Sequence, residues 1–244
     1  TDLAETAGKI DSCVDGVLLS PGMLEHCSEA FNYKGAPMAV VRLNWSTVYC
    51  FKWKYKQAAT VPGFSPKEAL KMGADVALIS LTLETGSEHR DAENVKIFRE
   101  ICCQAKELGM PVIGEYYPAE HDKLTPDELH RKVFTCSRII SELGAELIKT
   151  FYTNNFKEVA ETCPVPVLGL GAEKLPQQID ALRLAQKQVE NGAGGVVFGR
   201  NAIQVPDPQA FQRALCDVVK QGITAQKAVD KYNLNKGLIR DRKS

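Results

Sequence analysis

Short, nearly continuous apolar runs alternate with longer amphipathic stretches along most of the chain. The runs cover residues 14–19, 38–43, 76–83, 111–117, 147–152, 165–170 and 195–199. Continuous rather than alternating hydrophobicity is the pattern of parallel strands buried on both faces. The stretches between them carry single apolar stripes. Leu129, Val133, Cys136, Ile140 and Leu143 recur at helical spacing, as do Val95, Phe98, Ile101, Ala105 and Leu108. Each stripe predicts an amphipathic helix with one face against a sheet.

The joints repeat too. Gly73, Gly109, Gly144 and Gly192 each stand just before a predicted strand, at the end of a predicted helix. A glycine there supplies the left-handed residue that closes a helix and turns the chain into the next strand. No Ser/Gly/Pro-rich linker interrupts the series, so residues 1–244 read as one domain. Residues 45–65 break the rhythm with aromatics and lysines, including Trp45, Tyr49, Phe51, Trp53 and Tyr55. They are read as a βα loop packing over the barrel mouth or into a subunit contact. Residues 3–10 read as a helix, and the polar, basic tail 236–244 is expected to be mobile. The count is thus seven strands, where a closed (β/α)8 barrel has eight. The expected fold is an α/β TIM barrel lacking its first strand. The alternative is an open doubly wound sheet, but no G-x-G-x-x-G follows an early strand.

Composition narrows the class. The 244 residues carry 30 Lys+Arg against 30 Asp+Glu, a formal net charge of zero. That balance offers no electrostatic reason to expect nucleic acid or an anionic membrane as partner. No apolar run approaches the roughly 18 residues of a membrane span, and no signal peptide opens the chain, so the expected location is cytoplasmic. The 8 cysteines include no C-x-x-C pair and read as reduced, small hydrophobes. The 4 histidines lie far apart, so no metal site is expected.

Chemistry concentrates in three places. Lys149 lies inside the run Leu147-Ile148-Lys149-Thr150-Phe151. Burial disfavours an ammonium, and a neutral amine attacks carbonyls. The alternative is a lysine at a strand end, paired with a carboxylate. Glu115 and Tyr117 fall on one face of the preceding strand, which Pro118 ends. A tyrosine hydroxyl at a carboxyl strand end transfers protons to substrate in such a barrel, or simply packs. Finally, Gly169-Leu170-Gly171-Ala172 and Gly199-Arg200-Asn201 end the last two runs. Loops after the last two strands of these barrels often bind phosphate, and Arg200 adds a bidentate donor. The other reading of these glycines is plain turn formation.

With these residues in view, the chain resembles the archaeal-type class I fructose-bisphosphate aldolases. That group includes related sugar-phosphate aldolases and a thiolase acting on a phosphorylated dione in quorum-signal processing. The resemblance rests on Asp15-Gly16-Val17-Leu18-Leu19, Val41-Arg42-Leu43-Asn44, Gly144-Ala145-Glu146-Leu147-Ile148-Lys149-Thr150, Pro164-Val165-Pro166-Val167 and Gly199-Arg200-Asn201. It implies a TIM barrel, a Schiff base on Lys149 with no external cofactor or metal, and proton transfer by Tyr117. It also implies phosphate binding by Gly171, Ala172, Gly199 and Arg200, substrate positioning by Arg42 and Asn44, and a large homo-oligomer such as a decamer.

The departures from the family pattern are specific. Nothing here matches the family's first strand, which ends in Asp-His-Gly. The Gly-Gly-Pro-Lys loop reads Gly171-Ala172-Glu173-Lys174, the lysine of the third strand is Arg42, and a tryptophan is Glu115. Glu115, inward beside Tyr117, is a candidate replacement for the first-strand carboxylate; alternatively it neutralises Arg42 or Lys149. Three readings follow. The first is a metal-independent aldolase acting on a phosphorylated ketose. The second is a coenzyme A-dependent thiolase, and the third a silent barrel that binds a phosphorylated metabolite.

Overall fold

In the computed structural model, which describes residues 3–50, 53, 55, 57–171 and 173–234, the seven apolar runs form one parallel sheet. Its strands are β1 (Gly16–Leu19), β2 (Met38–Arg42), β5 (Val76–Leu81), β6 (Val112–Tyr116), β7 (Leu147–Thr150), β8 (Val167–Leu170) and β9 (Gly195–Val197). They lie side by side in that order, each paired with the next. This is the winding of a (β/α) barrel with one strand fewer than a closed one. The strands are shorter than the apolar runs because residues at one or both ends of a run lie in the connecting loops.

Register assigns the two faces. Val41, Ala77, Ile79, Leu81, Val112, Ile148 and Val167 face outward. They pack in one cluster with Phe98 and Ile101 of α4 (Glu88–Glu107) and Val133 and Ile140 of α5 (Pro126–Glu142). The inward face carries Leu18, Val40, Val76, Leu78 and Ile113 towards the amino ends of the strands. Towards the carboxyl ends the same face becomes polar, with Arg42, Ser80, Glu115 and Lys149.

The helix packing demands close approach at Gly114. A Cβ there would sit 2.2 Å from Cγ2 of Ile140 and 2.9 Å from Cβ of Ala145. The four joint glycines have φ between 66 and 112° (Gly73, Gly109, Gly144, Gly192), the left-handed closure their placement predicts.

The described part of residues 45–65 holds regular structure. β3 (Asn44–Ser46) and β4 (Thr60–Pro62) form an antiparallel pair, and a 3-10 turn, Thr47–Tyr49, lies between them. Trp45 and Val61 face each other on the exposed side, while Ser46 and Thr60 are buried. The sequence hid this pair because three-residue strands are too short to show a period. The helix expected over 3–10 is α1 (Leu3–Ala7), followed by a turn. The tail 236–244 lies outside the described residues.

Among the described residues, no strand pairs with the outer edge of β1 or β9. Helix α9 (Pro208–Gln221) ties the two ends of the sheet instead. The Gln212 side chain accepts from the Asp11 amide at 2.7 Å and donates to the Lys9 carbonyl at 2.9 Å. Arg213 pairs with Asp11 at 2.7 Å and Lys220 with Asp15 at 2.8 Å. A second apolar cluster supports these contacts, joining α9 to α7 (Gln178–Glu190), α8 (Arg200–Ile203) and α10 (Ala225–Lys231). An apolar cavity lies beside the edge of β1, where Ile10, Leu18, Phe31 and Ile203 meet.

Candidate active site

The parallel register brings Ser80, Glu115 and Lys149 side by side at the carboxyl ends of β5, β6 and β7. Arg42, the last residue of β2, reaches the same point. Ser80, Lys149 and Arg42 meet at the Glu115 carboxylate, and Tyr49 joins them. Lys149 Nζ donates to Oε1 of Glu115. Arg42 Nη1 and the Tyr49 hydroxyl each donate to Oε2 at 2.5 Å, and the Ser80 hydroxyl donates to it at 2.6 Å. Glu115 is 1% exposed and Lys149 9%, so these are interior charges.

Such charges persist only when paired and hydrogen-bonded. Burial works to raise the Glu115 pKa, but the Lys149 and Arg42 cations outweigh it and hold the carboxyl well below its ordinary range. Burial likewise opposes the Arg42 cation, and Glu115 more than restores it. Burial first, and the Glu115 charge next, push the Tyr49 hydroxyl well above its ordinary range. Tyr49 therefore stays a neutral donor.

Tyr117 lies one residue beyond β6, at the level of Phe151 beyond β7. Its ring meets those of Tyr49, His121 and Phe151 edge-on, each with centroids 5.1 Å apart. Burial raises its pKa and Glu115 adds to this, while the Arg200 guanidinium is near enough to oppose the shift. Arg200 itself is exposed at the start of α8.

The remaining expected residues are placed as follows. Asn44 is buried and both ends of its amide are engaged by the Ser80 backbone, donating at 2.7 Å and accepting at 2.9 Å. It thus anchors Ser80 beneath Glu115. Gly171 packs on Phe198, whose Cδ1 a Cβ would approach to 2.8 Å, and Gly169 packs on Gln188. Gly199 has open space around it. Ala172 lies outside the described residues.

Asn201, quoted in the motif but given no role, binds the two loops together. Its amide donates to the carbonyls of Gly171 and Glu173, both at 2.9 Å, and accepts from the Leu175 amide at 2.9 Å. Tyr49 and Ser80 were also missed. Ser80 left a faint signal, one of two hydroxyls with Thr82 in the run 76–83, at the inward parity of Leu78 and Val76. Tyr49 left none, because its partner Glu115 is 66 residues away. Among the described residues no group of three or more His, Cys, Asp or Glu is arranged to hold a metal ion. No helix among them is long and apolar enough to cross a membrane.

The register thus sets a buried lysine against a carboxylate at the carboxyl end of a parallel sheet, with Tyr49 and Tyr117 beside them. The chain belongs to the DeoC/LacD family of aldolases, whose model matches residues 3–205. It is 29% identical over 213 residues to an uncharacterized aldolase of Saccharolobus solfataricus, covering 85% of this chain and 78% of that one. It is also 33% identical over 153 residues to the 3-hydroxy-5-phosphonooxypentane-2,4-dione thiolase of Salmonella paratyphi A. That match covers 62% of this chain and only half of the thiolase.

An archaeal fructose 1,6-bisphosphate aldolase superposes with TM-score 0.69 at 27% identity, over 89% of this chain and 81% of that one. Another structure of such an aldolase, with the same TM-score at 26% identity over the same shares of the two chains, has its catalytic lysine covalently bound to the carbinolamine intermediate of its substrate.

Proposed function

We propose that the chain is a class I, Schiff-base aldolase that makes or breaks a C–C bond in a phosphorylated ketose without a metal. The observation carrying this reading is Lys149, buried at the carboxyl end of β7 and held by Glu115. The amine attacks the ketone carbonyl to give a carbinolamine, and loss of water gives an iminium. In cleavage, the electrons of the breaking C–C bond flow into that iminium to form an enamine, and the aldehyde departs. Tyr117 carries the proton between the departing hydroxyl and the enamine carbon.

Glu115 keeps the developing cation on nitrogen beside a fixed negative charge, the part that the family resemblance gives to a first-strand carboxylate. Arg42 at the base orients the polar end of the ketose, with Asn44 acting through Ser80. Gly171, Ala172, Gly199 and Arg200 hold the phosphate at the mouth, and Asn201 fixes the spacing of their two loops. The protein is proposed to work in the cytoplasm as a homo-oligomer.

Borohydride added with fructose bisphosphate and a panel of other ketose phosphates tests this directly. The expected result is a stable adduct on the Lys149 peptide, abolished in Lys149→Ala. Turnover that survives Lys149→Ala and stops with a chelator refutes it. The thiolase relative supports a second reading, cleavage of a phosphorylated dione by the same lysine with coenzyme A as acceptor; coenzyme A dependence separates the two. Binding of sugar phosphates with no adduct from any of them would leave the silent binder.

A further inference from the structure

The excursion between β2 and β5, read from the sequence as a loop over the barrel mouth or into a subunit contact, delivers a side chain to the base of the site. Ser46 caps the Thr47–Tyr49 turn by accepting from the Val48 amide, and this turn aims Tyr49 inward. The Tyr49 hydroxyl donates to Oε2 of Glu115 at 2.5 Å and lies 2.6 Å from the Ser80 hydroxyl. Arg42 donates to the same phenol oxygen at 2.6 Å, and its guanidinium carbon lies 4.6 Å from the centre of the ring. The ring also meets Tyr117 edge-on. One side chain therefore touches the carboxylate, the arginine and the tyrosine of the site, without contacting Lys149.

The two oxygens of Glu115 are used unequally. Oε1 serves Lys149, while Oε2 receives Arg42, Ser80 and Tyr49. Donors on one oxygen draw charge away from the other and fix the plane of the carboxylate. Deleting one leaves more charge for the remaining partners and loosens the geometry. We propose that Tyr49 is a positioning residue for Lys149 that acts through Glu115: its hydroxyl limits how strongly the carboxylate holds the lysine amine, and so sets the reactivity of that amine. The proposal rests on the ion pair itself, and it deepens the aldolase reading by adding a residue from the β3–β4 excursion to the machinery.

The consequence is specific. In Tyr49→Phe the ring stays beneath Arg42 and against Tyr117, and only the hydroxyl is lost. Glu115 then binds Lys149 more tightly, and Lys149 becomes a poorer nucleophile. Ser80→Ala removes a second donor from the same oxygen and acts in the same direction.

The test is competitive labelling with trace acetic anhydride at fixed pH, read by mass spectrometry on the Lys149 peptide against the exposed lysines. It needs no substrate, so it stands apart from the borohydride experiment, whose failure would bear on the aldolase reading alone. The expected result is Lys149 labelling slowed about tenfold in Tyr49→Phe, a scale set by one hydrogen bond to a charged group. Labelling of exposed lysines stays near wild type. In the Glu115→Gln background, Tyr49→Phe has no further effect, since the path is removed. Unchanged labelling in both Tyr49→Phe and Ser80→Ala overturns the proposal. So does an equal slowing at all lysines, which signals loosened packing, or additivity with Glu115→Gln. Where the aldolase assay works, Tyr49→Phe lowers kcat about as much as labelling while KM stays within about twofold.

Discussion

Glu115→Gln isolates the charge at the centre of the site with little change of volume. In the native protein a carboxylate that is 1% exposed accepts from Lys149, Arg42, Tyr49 and Ser80. The amide keeps the shape but removes the charge, leaving Lys149 and Arg42 in the interior without a counter-ion and presenting an NH2 group where donors converge. Breaking a buried pair from one side costs about 3–5 kcal/mol. In a chain of this length each kcal/mol is worth roughly 2–4 °C of melting temperature, so a fall of about 10 °C is expected near pH 7.

The pH dependence carries the sharper signature. The folded Glu115 carboxyl titrates below its unfolded value, because Lys149 and Arg42 outweigh the effect of burial. Its contribution is therefore complete above the unfolded value of about 4.3 and drains away as the pH falls towards the folded one. The gap between wild type and variant should thus be widest near neutrality and narrow steadily below about pH 4. Urea unfolding at pH 7, 5, 4 and 3, with the m-value checked for constancy, measures this gap. A gap under about 1 kcal/mol at pH 7, or one that does not shrink in acid, refutes the argument that Glu115 is an ionised, paired charge.

Two packing predictions follow from the same geometry. Gly114→Ala forces a methyl against Ile140 and Ala145 at 2.2 and 2.9 Å, and should destabilise by about 1–3 kcal/mol in urea titrations. Asn201→Ala removes contacts to Gly171, Glu173 and Leu175, and should raise KM for a phosphorylated substrate severalfold while borohydride still labels Lys149. Unaltered KM would show that the spacing of the two loops does not govern phosphate binding.

The barrel was legible because its determinants are local. A buried parallel strand must be apolar on both faces, and a helix returning to it needs a stripe and a left-handed glycine; runs of four to twenty residues show all of these. Lys149 stood out for the same reason, as a charge inside such a run. Glu115 was read as a lone carboxylate with two competing roles, and the structure has it neutralising Arg42 and Lys149 together. Gly169 and Gly171 looked like phosphate-loop glycines, whereas their backbone positions are also demanded by Gln188 and Phe198 packing against them.

What the order of residues determined by itself was the seven-strand parallel winding and a lysine inside the fifth apolar run. Register decided the rest. The side-chain period of a strand is two, so a slip of one residue would turn Ser80, Glu115 and Lys149 from the interior into the helix-packed layer. Only the folded sheet brings together Arg42, Glu115 and Lys149, which are 73 and 34 residues apart, and only the turn Thr47–Tyr49 after β3 sends Tyr49 to join them. Distances along the chain carry no record of these meetings, because they arise from pairing geometry and not from any local preference of the residues that meet.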